Sequence, residues 1–391
     1  MKVLFMEWNS LGQTDLMMEF KRRGWEVVRY PFPRLEENTR LNKKLCEKLI
    51  HVIASDRFDF IFSFNYFPVL SVACNACRVK YVSWTFDSPF IQLYSNTIKF
   101  PYNLVFIFDK GTCKDLWEQG VDTVYYLPMA APVERYDAYS GSNERGRAYR
   151  AQISFIGSTY QEKKHRLYDK LKDVSMYTKG YLDGCVQMQK RIYGAFLLEE
   201  ALNEEIMQDM LKHCPLEINE DGFERLEWVY AHYFLARRVT ALERIEILKL
   251  LSSKYQVDLY TYDETPELPL VRNKGMAEVF EEAPLIYRNS KINLNITLKS
   301  ILTGIPLRSF EIMGNKGFLL SNYQEDYGEF FCAGEDYEYY RNYEDLGDKV
   351  EYYLAHEKER NEVAENGYQK VKTNHTYRNR VDTILDILYG N

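Results

Sequence analysis

Short apolar segments alternate with amphipathic helical segments through the first 130 residues of this chain, and this order restricts the fold more than any other feature. The order strand, helix, strand, helix predicts a parallel sheet with helices on both faces. The strands are expected at residues 3–6, 26–30, 59–64, 81–85, 104–108 and 124–127. The helices between them are expected at 14–23, 35–55, 69–77 and 112–119.

Ligands of such sheets bind beyond the carboxyl ends of the strands. The polar residues that directly follow the strands are therefore the first candidates for a site. They are Asn9, Ser10 and Gly12 after the first strand, Asn65 after the third and Asp87 after the fourth.

A second alternating segment begins at residue 151. Residues 151–156 are typical of a buried strand, and Gly157 and Ser158 form a small-residue turn whose amides can receive a phosphate. Two α/β domains are therefore predicted, at residues 1–130 and 151–391. The linker between them is expected at 131–150, where the composition changes to small and turn-forming residues of mixed charge, among them Pro132, Gly141, Ser142, Asn143 and Gly146. A nearly continuous helical pattern at about 175–252, with helices at 188–198, 204–212 and 224–251, indicates an insertion in the second domain. It supplies either acceptor-binding surface or an oligomer contact.

Composition excludes several classes of protein. The net charge of −7 provides no general attraction to nucleic acid or anionic lipid.

The sequence predicts no metal site. Cys74 and Cys77 have no second cysteine pair nearby, and the six histidines have no partner at metal-site spacing. No D-x-D triplet stands in a strand-loop context either. No apolar run reaches the ~20 residues of a membrane helix. We expect a cytoplasmic protein with neither a signal peptide nor a membrane span.

Residues 307–321 carry the most specific chemistry. They are typical of a short helix, a glycine-containing turn and a buried strand, and Arg308 and Glu311 lie one helical turn apart on one face. A guanidinium suits phosphate oxygens and a carboxylate suits ribose hydroxyls, so the pair fits a nucleotide diphosphate sugar. An ordinary ion pair on a solvated helix face is the alternative.

Other residues near predicted strand ends complete the hypothetical site. The groups expected to neutralise the departing diphosphate are Arg308, the amides of Gly157 and Ser158, and Lys163. The candidates for contacts with the base, sugar or phosphates are Tyr260, Tyr262, Asn295, Thr303, Gly304 and Ser309. Asp87 is the candidate base for the acceptor hydroxyl and, with Arg308, a predicted catalytic residue. The sequence Asp-Ser-Pro is also typical of a turn or helix cap, which is the commoner role of such a sequence.

Over nearly its full length the chain resembles the spore-maturation CgeB-like glycosyltransferases. The similar passages read YVSWTFDSP at 81–89, ISFIGS at 153–158, the stretch 293–321, and HTYRNR at 375–380. The resemblance implies the GT-B architecture, in which two Rossmann-like domains face a cleft, and a nucleotide donor held mainly by the second domain. Glu311 is similar to the second glutamate of the E-x7-E motif of that broad group, whereas Thr303 stands where its first glutamate would be. The stereochemical outcome therefore stays open.

The leading hypothesis is a metal-independent glycosyltransferase without a cofactor, which moves a sugar from a nucleotide-diphosphate donor to a surface polymer, glycan or protein. One alternative is a sugar-nucleotide epimerase on the same fold. The other is a non-catalytic sugar-nucleotide-binding or scaffold protein, with the helical insertion as its interaction surface. The expected partners are the donor and its acceptor, and the insertion offers a surface through which an oligomer would form.

Overall fold

The structure is a computed structural model that describes residues 1–33, 38–138 and 143–390. It divides into two compact units. The first contains Met1–Met129, Ile218–Arg225 and Tyr377–Asn391, and the second contains Ala130–Glu217 and Leu226–Thr376.

The first unit is built on a parallel six-stranded sheet. Its strands are β1 (Lys2–Glu7), β2 (Glu26–Pro31), β3 (Phe60–Phe64), β4 (Lys80–Thr85), β5 (Asn103–Ile107) and β6 (Val124–Tyr126). Their order across the sheet is β2-β1-β3-β4-β5-β6. The chain therefore reverses direction across the sheet between β1 and β3, the kind of point at which open α/β sheets bind ligands.

Helices connect these strands as the alternation predicts. They are α1 (Gln13–Arg22), α2 (Lys43–Ala54), α3 (Pro68–Cys77) and α4 (Lys110–Glu118). The prediction of one helix over 35–55 is wrong for residues 38–42, because Asn42 caps α2 by accepting a hydrogen bond from the Leu45 amide at 2.9 Å. Residues 35–37 of that prediction lie outside the described residues.

The second unit contains another parallel six-stranded sheet. Its strands are β7 (Ala151–Ile156), β8 (Val257–Tyr260), β9 (Arg272–Asn273), β10 (Ser290–Asn295), β11 (Leu319–Asn322) and β12 (Glu338–Tyr340). Their order is β12-β11-β10-β7-β8-β9, so this sheet reverses between β7 and β10. The two parallel sheets confirm the predicted α/β class with two Rossmann-like folds.

Helices of the second unit lie along the sheet and in a separate helical cluster. They are α5 (Val133–Ala138), α6 (Asn143–Arg147), α7 (Met176–Lys190), α8 (Glu204–His213), α9 (Leu226–Val229), α10 (Ala236–Ser252), α11 (Ala283–Asn289), α12 (Leu307–Gly314), α13 (Tyr327–Phe330), α14 (Tyr343–Ala355) and α15 (Glu357–Asn374). A last helix, α16 (Tyr377–Tyr389), returns to the first unit.

One helix prediction in the insertion is wrong, and a second is confirmed with a local difference. The predicted helix at 188–198 does not form, because α7 ends at Lys190 and the Gln189 side chain then bonds the turn backbone at Ile192, Ala195 and Leu197. The predicted helix at 224–251 starts later and is interrupted by a π-helical turn at Tyr230–Leu235.

Candidate functional site

Arg308 lies in the first turn of α12, beyond the carboxyl end of β10, and its guanidinium is half-buried. Nη1 of Arg308 donates a hydrogen bond to Oδ1 of Asn295 at 2.9 Å. The guanidinium carbon lies 5.0 Å from the centre of the Phe155 ring, within cation–π range. Within residues 1–33, 38–138 and 143–390, Arg308 forms no ion pair, so the alternative of an Arg308–Glu311 ion pair on a solvated face is not observed.

Asn295 fixes the position of this guanidinium. It is the last residue of β10 and is fully buried. Its Nδ2 donates to the hydroxyls of Thr297 and Ser321, both at 3.0 Å, and its Oδ1 faces Arg308. The orientation of the amide is unambiguous because a guanidinium can only donate. Asn295 therefore acts in this structure as a support for Arg308.

The turn after β7 approaches Arg308 closely. A Cβ atom on Gly157 would lie 2.6 Å from Nη2 of Arg308, so only glycine leaves room for the guanidinium in this position. The Ser158 hydroxyl donates to Glu162 Oε2 at 2.6 Å and accepts from the Tyr160 amide at 2.7 Å. This hydroxyl therefore shapes the turn, while Lys163 lies exposed in the following 3₁₀ turn.

A second arginine, which the sequence interpretation missed, reaches the same turn. Arg244 of α10 is 3% exposed, and its guanidinium donates to the carbonyl oxygens of Ser158 at 2.6 Å and of Ile296 at 2.5 Å. Burial and, to a smaller extent, the neighbouring charge of Arg308 lower the pKa of Arg244 to about 10. Two guanidinium groups thus occupy the carboxyl edge of β7 and β10.

A sequence signal for Arg244 exists in the spacing of α10. Val239, Glu243 and Ile247 recur every four residues, and all three are buried. A charged pair, Glu243 and Arg244, therefore interrupts an otherwise apolar helix face. Because a buried charge requires specific partners, this pattern indicates that Glu243 and Arg244 form polar contacts in the interior.

Glu311 lies one turn along α12 from Arg308 and is half-buried. It hydrogen-bonds with the hydroxyl of Tyr287, a residue of α11. Burial raises the pKa of Tyr287 well above its ordinary value, and the carboxylate of Glu311 raises this pKa further. The Tyr287 hydroxyl therefore stays protonated and donates to Glu311.

The segment between β10 and α12 is fixed through its backbone. The Thr303 carbonyl accepts from the Asp326 amide at 3.1 Å, and the Gly304 carbonyl accepts from Nε2 of Gln324 at 3.2 Å. Ser309 is fully buried, and its hydroxyl accepts from the Tyr327 hydroxyl at 2.6 Å.

The two tyrosines that follow β8 differ in exposure. The Tyr260 ring is 4% exposed and packs with Ala277 and Ile286, so it presents no free face for a nucleobase. Its hydroxyl is buried and has no hydrogen-bond partner in the part of the chain that the structure describes. Tyr262 is 76% exposed, so its ring is accessible.

In the first unit, Asn65 holds Asp87. Asn65 is fully buried at a φ of 60°, and its Nδ2 donates to Asp87 Oδ2 at 2.8 Å. Its Oδ1 accepts from the Phe86 amide at 2.9 Å and the Asp87 amide at 3.2 Å. Asp87 follows β4, and the next 3₁₀ helix starts at Ile91 with Phe90 as its N-cap, so Asp87 does not cap that helix.

The other strand-end candidates of the first unit lie between β1 and α1. Asn9 is exposed at a φ of 61°, and Gly12, at a φ of 77°, precedes α1. A Cβ atom on Gly12 would lie 2.2 Å from the Tyr377 hydroxyl, so α16 packs directly against this turn. The Ser10 hydroxyl is buried without a hydrogen-bond partner among the described residues.

The structure thus brings Gly157, Asn295, Ser309 and Arg308 together and adds Arg244 to them. Across the described residues, no group of three or more His, Cys, Asp or Glu side chains is arranged to hold a metal ion. In the same part of the chain, no helix combines the length and the apolar character that crossing a membrane requires.

Residues 237–386, which include Arg244, Asn295, Arg308 and Glu311, match the family described as glycosyl transferase-like. This match supports glycosyltransferase as the enzyme class. The match confirms the predicted enzyme class and the predicted character of the C-terminal domain. The sequence has no detectable relative among curated proteins.

Solved structures show the same fold at low sequence identity. Anabaena HepE in complex with UDP-glucose has a TM-score of 0.57 at 11% identity, with 100% of each chain covered. A glycosyltransferase from Rickettsia africae has a TM-score of 0.56 at 9% identity, covering 100% of this chain and 98% of that one. Sucrose-phosphate synthase from Thermosynechococcus elongatus has a TM-score of 0.56 at 8% identity, covering 99% of this chain and 98% of that one. At such identities the similarity shows the GT-B fold alone.

Proposed function

We propose that this glycosyltransferase uses a UDP-sugar as donor and that the second unit binds the diphosphate at Arg308. One observation carries the proposal: the Arg308 guanidinium, which has five N–H donors, uses one of them on Asn295 and has no other hydrogen-bond partner among the described residues. The remaining donors are available to phosphate oxygens in a bidentate geometry. That Anabaena HepE was crystallised with UDP-glucose supports the choice of donor.

Arg244 supports this diphosphate site without contacting the ligand. Three of its N–H groups already bond the backbone at Ser158 and Ile296, so it fixes the turn and the start of the loop that flank Arg308. Its buried positive charge adds to the local potential, because charges interact more strongly where water is excluded. Both guanidinium groups are in place before the reaction begins, so they can stabilise the negative charge that develops on the departing diphosphate.

Asp87 is the proposed base of an inverting reaction. Its carboxylate takes the proton from the acceptor hydroxyl while that oxygen forms a bond to the anomeric carbon of the sugar. The bond from the anomeric carbon to the phosphate oxygen breaks, and the electron pair leaves with UDP. Asn65 orients the carboxylate through its 2.8 Å hydrogen bond.

The remaining contacts are assigned by position. Glu311, oriented by Tyr287, is the proposed partner of the ribose hydroxyls. The turn amides at Gly157 and the exposed Lys163 are proposed for phosphate, Tyr262 for the nucleobase, and Thr303 and Gly304 for the sugar. Asn9, Ser10 and Gly12 are proposed to contact the acceptor in the first unit.

We further propose that the reaction needs no metal ion, since Arg308 and Arg244 supply the positive charge. The resemblance to the spore-maturation CgeB-like group supports a surface polymer as the acceptor, with a glycan or protein as the wider class.

Binding and turnover test this function together. UDP and UDP-glucose should raise the melting temperature in proportion to the logarithm of their concentration over Kd. Slow release of glucose from UDP-glucose without acceptor should persist in EDTA. Absence of both effects with every UDP-sugar tried would refute the proposal.

A further inference from the structure

A cavity of about 480 Å³ lies beside the N-terminus of α14, outside the site described above. Tyr343 and Glu344, which begin α14, form one side, and residues of α7 and α10 form the other. The cavity follows the carboxyl end of β12, which lies three strands from β7 in the same sheet. At a strand spacing of ~4.8 Å, that separation is about 14 Å along the edge that carries Arg308.

One wall of the cavity is a preorganised acceptor of hydrogen bonds. Glu246 receives one bond from Nζ of Lys190 at 2.5 Å and another from the Tyr343 hydroxyl at 3.2 Å. These two donors hold the carboxylate in place while its side chain stays 39% exposed. Its free lone pairs are therefore available to hydroxyl groups of a ligand.

The cavity also contains two oppositely charged groups, Arg191 and Glu344. Arg191, at the end of α7, and Glu344, in the first turn of α14, form no side-chain hydrogen bond or ion pair within the described residues. Together with Lys190 and Glu246, the lining carries two cations and two carboxylates. A phosphate or diphosphate would meet both carboxylates, which disfavours a strongly anionic ligand.

Two aromatic rings complete the cavity, those of Tyr193 and Tyr343. Aromatic rings offer apolar faces to the C–H surface of a sugar, while the balanced donors and acceptors suit hydroxyls that both donate and accept. A volume of this size lies within the range of small-molecule sites. The lining therefore matches a neutral, polyhydroxylated ligand.

The cavity shares a wall with the loop that leads to Arg308. The Tyr193 hydroxyl donates to Glu243, and Nζ of Lys299 lies 3.8 Å from the centre of the Tyr193 ring. Lys299 belongs to the segment between Asn295 and Arg308, and its ammonium lies 3.4 Å from Oε2 of Glu243. The same buried side chains thus support both the cavity and the loop before α12.

We propose that this cavity binds a saccharide unit of the acceptor glycan. The assignment rests on the proposed function, since it takes the second substrate of that reaction to be a carbohydrate. An acceptor chain bound here would extend along the sheet edge toward the carboxyl ends of β10 and β7, beyond which Arg308 and Gly157 lie.

The test is a titration of the intact protein by saturation-transfer NMR with glucose, N-acetylglucosamine, cellobiose and chitobiose. The test variants are Arg191→Ala and Glu344→Gln, whose side chains form no hydrogen bond or ion pair among the described residues. Lys179→Ala is the matched control, because Lys179 is an exposed cation of the same helix outside the cavity lining. At least one sugar should bind the parent, with Kd about tenfold higher in the two test variants and unchanged in the control.

UDP affinity measured on the same samples separates the two proposals. UDP binding without saccharide binding, or saccharide binding that Arg191→Ala and Glu344→Gln leave unchanged, overturns the cavity assignment alone. Displacement of the sugar by inorganic phosphate overturns it too, since this would mark an anion site. Saccharide binding that is lost in the variants, without any UDP binding, supports the cavity and refutes the proposed donor.

Discussion

Nη1 of Arg308 donates to Oδ1 of Asn295 at 2.9 Å, although the two residues lie on different elements, α12 and β10. Asn295 is buried and held in turn by Thr297 and Ser321. The position of the guanidinium is therefore set by the carboxyl end of the sheet rather than by the helix that carries it. Such support reduces the entropy that a ligand would otherwise lose on ordering the side chain.

Gly157→Ala should weaken UDP binding by about tenfold or more and should also lower the melting temperature, because an alanine is strained at the φ of 156° that Gly157 adopts. The new methyl group would lie 2.6 Å from Nη2 of Arg308, and the flexible end of that side chain can move away at small energetic cost. Calorimetric titration and thermal melting measure the two effects. Gly184→Ala in α7 is the control, since no atom lies within 4 Å of its new Cβ; an unchanged UDP affinity in Gly157→Ala would contradict the close approach.

Glu311→Ala should abolish discrimination between UDP and 2′-deoxy-UDP. If Glu311 accepts from the ribose hydroxyl, the parent prefers UDP by about tenfold, the value of one hydrogen bond to a charged group. The variant should bind both nucleotides equally, at the affinity that the parent shows for the deoxy form. A preference that survives in the variant would assign ribose recognition to another residue.

Asp87→Asn should retain UDP-sugar affinity and lose sugar transfer by at least about a hundredfold, because the amide cannot take the acceptor proton. The hydrogen bonds with Asn65 should persist in altered form, so folding is expected to change little. Initial rates with a saturating donor measure the effect. Asp122→Asn, an exposed position before β6, is the control. Transfer at the parental rate in Asp87→Asn would remove Asp87 as the base.

Asp209→Asn should destabilise the contact between α8, which carries Asp209, and the N-terminus of α7 in a pH-dependent way. The hydroxyl of Thr178 and the amide and hydroxyl of Ser175 lower the pKa of Asp209 from 3.8 to about 2. The pKa of Asp209 is lower in the folded than in the unfolded protein. The contribution of its carboxylate to the free energy of unfolding is therefore complete above about pH 4 and is lost as the pH falls through about 2. The difference in unfolding free energy between parent and variant should follow that course. Asp173→Asn, an exposed position, should show no such course; a difference that is constant down to pH 2 would contradict the assignment.

The strands and helix that carry the proposed donor site were predictable because local pattern and tertiary structure agree there. β7 is a run of buried residues that ends at a glycine, and Arg308 and Glu311 fall on α12 as their spacing indicated. The predicted helix at 188–198 failed for a local reason. Gln189 bonds the backbone of the turn that follows it, and Gly194 adopts a φ of 79°, which helical periodicity does not reveal.

Two other features depend on contacts between distant residues. Ile218–Arg225 belongs to the first unit because buried Arg40 pairs with Asp221 at 2.8 Å and Glu224 at 3.0 Å, more than 180 residues along the chain. Arg244 was missed since neighbouring charges in a helix usually face solvent. Its carbonyl partners at Ser158 and Ile296 become neighbours only when β7 and β10 pair.

The central claim is tested most directly by calorimetric titration of UDP into the parent, Arg308→Ala and the control Arg341→Ala, an exposed arginine at the end of β12. Loss of a charged, bidentate phosphate contact predicts a Kd for UDP at least about tenfold higher in Arg308→Ala than in the parent. The melting temperature of Arg308→Ala without ligand and the UDP affinity of Arg341→Ala should both equal those of the parent. Equal UDP affinity in all three proteins would contradict the account.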